Sequence, residues 1–253
     1  MKHLLIAAAI AVATVSSAHS QVLTIATSGE GSLTHGVAST LAKEISNNSD
    51  LRIRVAPMGG SSVAIPQVNN GSLDFTVGLS VMPAFAVKGE GTFDGRPQPK
   101  LRAVAALFNL TPAFMVRADS DIRSIKDLKG RRVTSGMPQQ KIVEVVSHAS
   151  LRAAGLTWAD VEEVPAPTSN KGIEDLMAGK VDAVMASISS GKSHQAHAAV
   201  GIRWLPLEDT PETLEALTKY SPGTHITTIK PSNRYPGLTE PLTALAAPLM
   251  FLT

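Results

Sequence analysis

A chain of 253 residues without cysteine excludes a disulfide framework, a thiolate metal site and a cysteine nucleophile. Its stability must come from the core that 43% hydrophobic residues can build. The formal net charge is +2, the Lys and Arg residues are scattered, and 4% of residues are aromatic. Neither a phosphate-facing basic surface nor a stacking platform for bases is expected, so nucleic acid is excluded as a partner.

The opening stretch MKHLLIAAAIAVATVSSA sets Lys2 before an apolar run from Leu4 to Val15 and ends in the small residues Ser16 and Ala18. This is the pattern of a secretory signal peptide, too short to span a membrane with stable flanks. Removal of residues 1–18 would leave an exported, soluble chain of about 235 residues with a net charge of +1, since Lys2 goes with the leader. Beyond it no apolar stretch reaches the roughly 18 residues a membrane helix needs.

Short apolar runs then alternate with helical patterns. VLTIAT precedes a helix over 36–47, LRIRVAP a helix over 62–70, and LDFTVGL a helix over about 82–88. Strand and helix in alternation predict a parallel sheet covered on both faces. After the loop KGEGTFDGRPQPK, the run LRAVAALFNLTPAFMVRADS holds two strand-like segments around Thr111 and Pro112. Proline cannot donate to a ladder, so it marks a break, and a chain crossing between lobes accounts for one there. SIKDLKGRRVTSG predicts a short helix and a strand ending at Ser135 and Gly136, followed by a helix over 139–154 closed by Gly155. DVEEVPAP reads as a strand, NKGIEDLMAG as a helix stopped by Gly179, and VDAVMAS as a strand. The second half repeats the grammar of the first.

In open α/β sheets ligands sit beyond the carboxyl ends of strands, where loops enter helices. The loops at those positions are TSGEGS (27–32), MGGSS (58–62), GLSVM (78–82), TSGMPQQK (134–141) and ASISSG (186–191), all dominated by small or hydroxyl-bearing residues. Bare N–H groups at helix starts favour an anion such as a carboxylate. The expected ligand walls are Ser28, Gly29, Gly31, Ser32, Gly60, Ser61 and Ser80 on one side, and Ser135, Gln140, Lys141 and Ser189 on the other. Lys141 falls in a first helical turn, where its charge opposes the helix dipole, and a bound carboxylate would offset that conflict. Glu30 would repel an anion, unless it caps the helix start from outside or selects a ligand that also carries an amine.

Sharper motifs fail. GEGSLT lacks the third glycine of a dinucleotide fingerprint at Thr34. GKS at 191–193 has Ala186 where a phosphate loop needs glycine, so Lys192 is read as a solvated loop lysine. His194 and His197 have no third metal ligand nearby and are read as a surface pair. No nucleophile elbow is present. Trp158 and Trp204 are expected to pack in the core or between lobes. Neither catalytic residues, a metal nor a cofactor is expected.

The ordered succession TIATSGEGSLTHGVASTLAKEIS, APMGGSSVAIPQVNNGSLDFTVGLS, LRAVAALFNLTPAFMVRADSDIRSIKDLKGRRVTSG, LRAAGLTWADV, IEDLMAGKVDAVMAS and TTIKPSNRYPGLTEPLTALAAPLMF resembles the TAXI family, the solute-binding proteins of tripartite ATP-independent periplasmic (TRAP) transporters. The resemblance implies an α/β, two-lobed type II periplasmic binding protein, with residues 19–110 as lobe 1, 111–240 as lobe 2 and 241–253 as a strand returning toward lobe 1. It implies a periplasmic, monomeric, non-enzymatic protein that closes around a small organic acid or amino acid and delivers it to a membrane permease driven by an ion gradient.

The chain departs from the family pattern in places. Leu33, Thr34, His35 and Gly36 stand where paired tyrosines and a proline are usual, so the aromatic wall is gone or replaced by His35. Leu79, Ser80 and Val81 replace Gln-Ser-Asp, and Gln139, Gln140, Lys141 and Ile142 replace a Gly-Ser-Gly-Thr helix start. The family's C-terminal helices have no counterpart, which reads as truncation at the C-terminus and would leave an apolar patch on lobe 1. Two rivals stand beside this reading: a ligand sensor reporting to a membrane receptor, and an enzyme on the same scaffold.

Overall fold

The computed structural model describes residues 22–30 and 32–253. The expected leader and Gly31 lie outside the described residues.

In the first half β1 (Val22–Thr27), α1 (Leu33–Asn47), β2 (Arg52–Pro57), α2 (Ser61–Asn69), β3 (Phe75–Leu79) and α3 (Val81–Lys88) follow one another. Thr24, Ile25, Ala26 and Thr27 are all buried, as expected of a strand covered on both faces. α1 begins before Gly36 because the Ser32 hydroxyl accepts the His35 N–H at 3.2 Å and caps the helix there. α3 stops at Gly89, whose φ of +71° is the left-handed conformation of a helix C-cap.

The chain then forms β4 (Ala103–Leu110), β5 (Pro112–Arg117), β6 (Arg132–Ser135), α4 (Lys141–Ala153), β7 (Glu162–Pro165), α5 (Ser169–Met177) and β8 (Ala183–Ser187). α6 (Gly191–Val200), β9 (Ile202–Trp204), α7 (Pro211–Tyr220), β10 (His225–Ile229) and β11 (Leu242–Leu252) complete it. α4 starts at Lys141 because Gln140, at φ −142° and ψ 59°, is still outside helical geometry.

These strands build two sheets, so the fold is α/β with two lobes. The first runs β10-β11-β3-β1-β2 with β4 also on β11, and the second runs β7-β6-β8-β5-β9. In the first, β1 lies parallel to β2 and β3, and β11 runs antiparallel to β3. In the second, β6 lies parallel to β7 and β8, and β5 runs antiparallel to β8. Each sheet thus has the same inner order, with its antiparallel strand supplied from elsewhere in the chain.

Two links join the lobes. β4 ends at Leu110 in the first sheet, and one residue later Pro112 opens β5 in the second. β11 makes the other link by packing, while its strand pairings stay within the first sheet. Its residues 242–246 pair with β10, and 247–252 pair with β4. Leu242 and Ala244 pack with Met115 and Trp204 of the second lobe, while Leu249 and Phe251 pack with Ile25 and Val77 of the first. One strand therefore belongs to both cores.

Trp204 is buried, and its indole N–H donates to Pro236 O at 2.7 Å, while Trp158 is partly buried against a core cluster made mainly of second-lobe residues. Arg132 fastens β6 to β8: its backbone N–H, Nε and Nη2 all donate to the Asp182 carboxylate, at 2.9, 3.1 and 2.6 Å. Hydrogen bonding to Arg132 holds the Asp182 carboxyl below its ordinary pKa despite partial burial. No helix among the described residues is long and apolar enough to cross a membrane.

Candidate functional site

A cavity of about 400 Å³ lies between the lobes, within the size range of small-molecule sites. The first lobe lines it with Ser28 after β1, Ser32 to Thr34 at the start of α1, Gly59 to Ser62 at the start of α2, and Val77 to Leu79 with Met82. The second lobe supplies Gln139 to Val143 and Val146 from α4, Ser169 and Asn170 from α5, Met185 to Ser187 from β8, and Ser189 to Lys192 from α6. Leu110 and Pro112, the crossing residues, line it as well.

The helix starts at this cavity differ in what their N–H groups meet. α1, α5 and α6 are capped by their own side chains, Ser32, Thr168 and Ser190. α2 and α4 are not: neither Gly60 nor Gln140 makes a side-chain cap hydrogen bond. The first N–H groups of those two helices, one in each lobe, keep their donors for something else.

Local sequence dictates this arrangement at α2. Gly60 sits at φ +84°, which glycine adopts without strain. Gly78 on β3 lets the helix start come close, since a Cβ there would stand 2.6 Å from Ser61 Cβ. At α4, the Gln140 side chain is committed sideways: its Oε1 accepts the Ser169 N–H at 2.8 Å and so ties the start of α5 to α4.

The cavity wall carries both signs of polarity but one sign of charge. Lys141 and Lys192 line it, and among the described lining residues there is no Asp or Glu. Each lysine has a partner set back from the wall: Lys141 Nζ donates to Glu144 at 2.9 Å and Lys192 Nζ to Glu174 at 2.8 Å. The hydrogen bond from Lys192 holds the Glu174 carboxyl below its usual range. Glu144 resolves the conflict posed by a lysine in the first turn of α4, since its carboxylate in the same turn suits the dipole. No bound anion is needed for that.

Of the residues expected on sequence, Ser28, Ser32, Gly60, Ser61, Gln140, Lys141 and Ser189 do line the cavity. Gly29, His35, Ser80 and Ser135 do not. Gly29 is exposed, and its carbonyl accepts the Ser32 N–H at 3.1 Å. His35 lies just inside α1, where its backbone serves the cap. Ser135 is buried at the end of β6. The Ser80 hydroxyl donates across to Gly223 O at 2.7 Å, which takes it out of the wall.

Lys192 is a correction to the sequence reading: it is largely buried on the wall instead of solvated, with a side chain 22% exposed. Its partner Glu174 is 18 residues away on α5, which local spacing does not reveal. Ser169 and Asn170 also line the cavity, and the sequence signal for them is that APTSN follows a strand and opens a helix like the other loops. Glu30 is exposed and off the wall, and His194 and His197 lie exposed on α6.

Among solved structures, the chain is similar to the periplasmic aliphatic sulphonate binding protein SsuA from Escherichia coli, at 18% identity and a TM-score of 0.51. It is similar to a protein from Bordetella bronchiseptica RB50 at 19% identity and a TM-score of 0.54. Both likenesses cover 90% of this chain, and the chain spans 65% of the first protein and 64% of the second. Holo ArgBP from T. maritima matches at 14% identity and a TM-score of 0.48, covering 90% of this chain and 82% of that one. The fold is that of periplasmic binding proteins. Residues 25–253 match the profile of the NMT1-like family, and the chain belongs to the NMT1-like family.

Proposed function

We propose that this protein is an extracytoplasmic solute-binding protein of the TAXI kind, which captures a small carboxylate-bearing solute between its lobes and hands it to a TRAP-type secondary transporter. One observation carries the reading: the uncapped N-termini of α2 and α4, one from each lobe, open on the same cavity. A carboxylate there takes N–H donors from both lobes at once, with the positive ends of two helix dipoles behind them.

Such a ligand reads both lobes together only when the cleft is shut. Its differential affinity for the shut form supplies the closing free energy, a population shift about the crossings at 110–112 and along β11. No chemistry on the solute is part of this mechanism. The leader over residues 1–18 would bring the protein to the periplasm, and lobes at 19–110 and 111–240 with a return strand at 241–253 would form the clamp.

Native mass spectrometry of the purified protein, followed by calorimetric titration of the solute found, tests the capture. A copurifying carboxylic acid with micromolar or tighter affinity is expected; a neutral or cationic solute overturns it. Uptake into vesicles holding the partner permease tests the delivery: it should follow an ion gradient, and uptake that instead requires ATP overturns the TRAP assignment.

A further inference from the structure

We infer that the solute is an organic monoanion with an apolar body and no ammonium group, an inference that rests on the carboxylate-capture reading above. The first observation is the character of the wall away from the helix starts. Leu79, Val143, Val146 and Met185 line the cavity and also belong to the apolar cluster that bridges the lobes, which includes Leu245 and Ala247 of β11. The cavity floor is thus the open side of a hydrophobic core. A polar group set against it would lose its water and gain no hydrogen bond, whereas each methylene set there leaves water for an apolar surface.

The second observation is charge. An ammonium inside the cavity would meet Lys141 and Lys192 and, among the described lining residues, no carboxylate, a buried charge facing its own sign. This excludes an α-amino acid.

The third is the supply of donors. α2 and α4 present uncapped starts whose own first residues line the cavity, Ser32, Thr168 and Ser190 already occupy those of α1, α5 and α6, Ser80 at the start of α3 is off the wall, and Lys192 is bound to Glu174. One anionic head is served at these starts, and a second would meet the apolar floor or neutral side chains such as Asn170 and Ser187.

Calorimetric titration of the purified full chain with straight-chain carboxylates from propanoate to octanoate tests this, with 2-aminohexanoate and hexanedioate as the matched amino acid and diacid. The dissociation constant should fall about fourfold per added methylene until the cavity is full, and both matched compounds should bind at least tenfold more weakly than hexanoate. In Met185→Gln the gain per methylene should shrink, and an unchanged gain overturns the placement of the body. A flat series, or an amino acid or diacid binding as tightly as hexanoate, overturns the inference and leaves carboxylate capture standing. Absence of binding by every carboxylate overturns both.

Discussion

The Ser80 hydroxyl donates to the Gly223 carbonyl at 2.7 Å, joining the start of α3 in the first lobe to the turn between α7 and β10. The backbone N–H of the same residue donates to Pro248 O on β11 at 2.9 Å. Ser80 is therefore a clasp beside the crossing strands. Loss of one neutral hydrogen bond of about 1 kcal/mol should move the open-to-shut ratio about fivefold. Ser80→Ala is expected to keep the fold, enlarge the ligand-free radius of gyration in small-angle scattering, and weaken solute binding by up to that factor. An unchanged radius and affinity would remove the clasp.

Gly78 makes a second case. A methyl at this position would stand 2.6 Å from Ser61 Cβ and 2.9 Å from Ser61 Oγ, and neither atom belongs to a long, flexible side chain. Gly78→Ala should push the start of α2 off β3, cost about 1–3 kcal/mol of stability as an overpacked contact does, and weaken an anionic solute more than tenfold. Thermal unfolding and calorimetry on the same preparation separate the two effects.

Lys141 and its partner yield a pair of opposite predictions. Lys141→Ala should weaken a carboxylate at least tenfold. Glu144→Gln frees the ammonium that Glu144 now holds at 2.9 Å, and should tighten the same ligand roughly twofold, the scale of an exposed ion pair. That gain should fade as salt rises, which a titration at two ionic strengths reads directly.

The alternation of apolar runs and helical patterns made the inner strands β1, β3 and β8 legible, because strands buried on both faces read as short, largely apolar runs. The last third was harder. The helix GKSHQAHAAV has only Ser193 and Ala196 buried, so its sequence lacks an apolar stripe, and β9 is three residues long. In the site, hydroxyl and glycine residues after strands marked the wall, since helix starts need small residues and caps. Partner choice was not legible: that Ser80 turns to Gly223, Gln140 to Ser169 and Lys192 to Glu174 depends on contacts spanning 143, 29 and 18 residues.

The α4–α7 contact should sense pH. His148 stands edge-on to Tyr220 with ring centroids 5.1 Å apart, its Nδ1 is buried without a hydrogen-bond partner among the described residues, and Arg152 lies 5.3 Å over the same tyrosine. Burial first, and the Arg152 cation second, push the imidazole below its ordinary pKa, against a smaller pull from Glu144. Lys219 Nζ, 5.2 Å from the Tyr220 ring centroid, adds a further cation to this surround. The unfolded chain therefore binds more protons near neutrality. The stability contribution is complete above the ordinary histidine value of about 6.5 and is lost as pH falls from there toward the folded value. Denaturant midpoints at pH 7.5 and 5.5 should differ in the native protein and converge in His148→Phe.

β11 lies between β3 and β4 in the first sheet, yet in chain order it follows every other described strand. Until residue 252 has been synthesised, β3 and β4 have no shared neighbour, and their facing edges carry unmet N–H and C=O groups. Thr253 reinforces the closure, its backbone exchanging hydrogen bonds of 2.9 and 2.6 Å with Arg102. Ribosome-bound intermediates should therefore stay protease-sensitive over residues 22–110 until β11 has left the ribosome, with both lobes gaining protection together when it does.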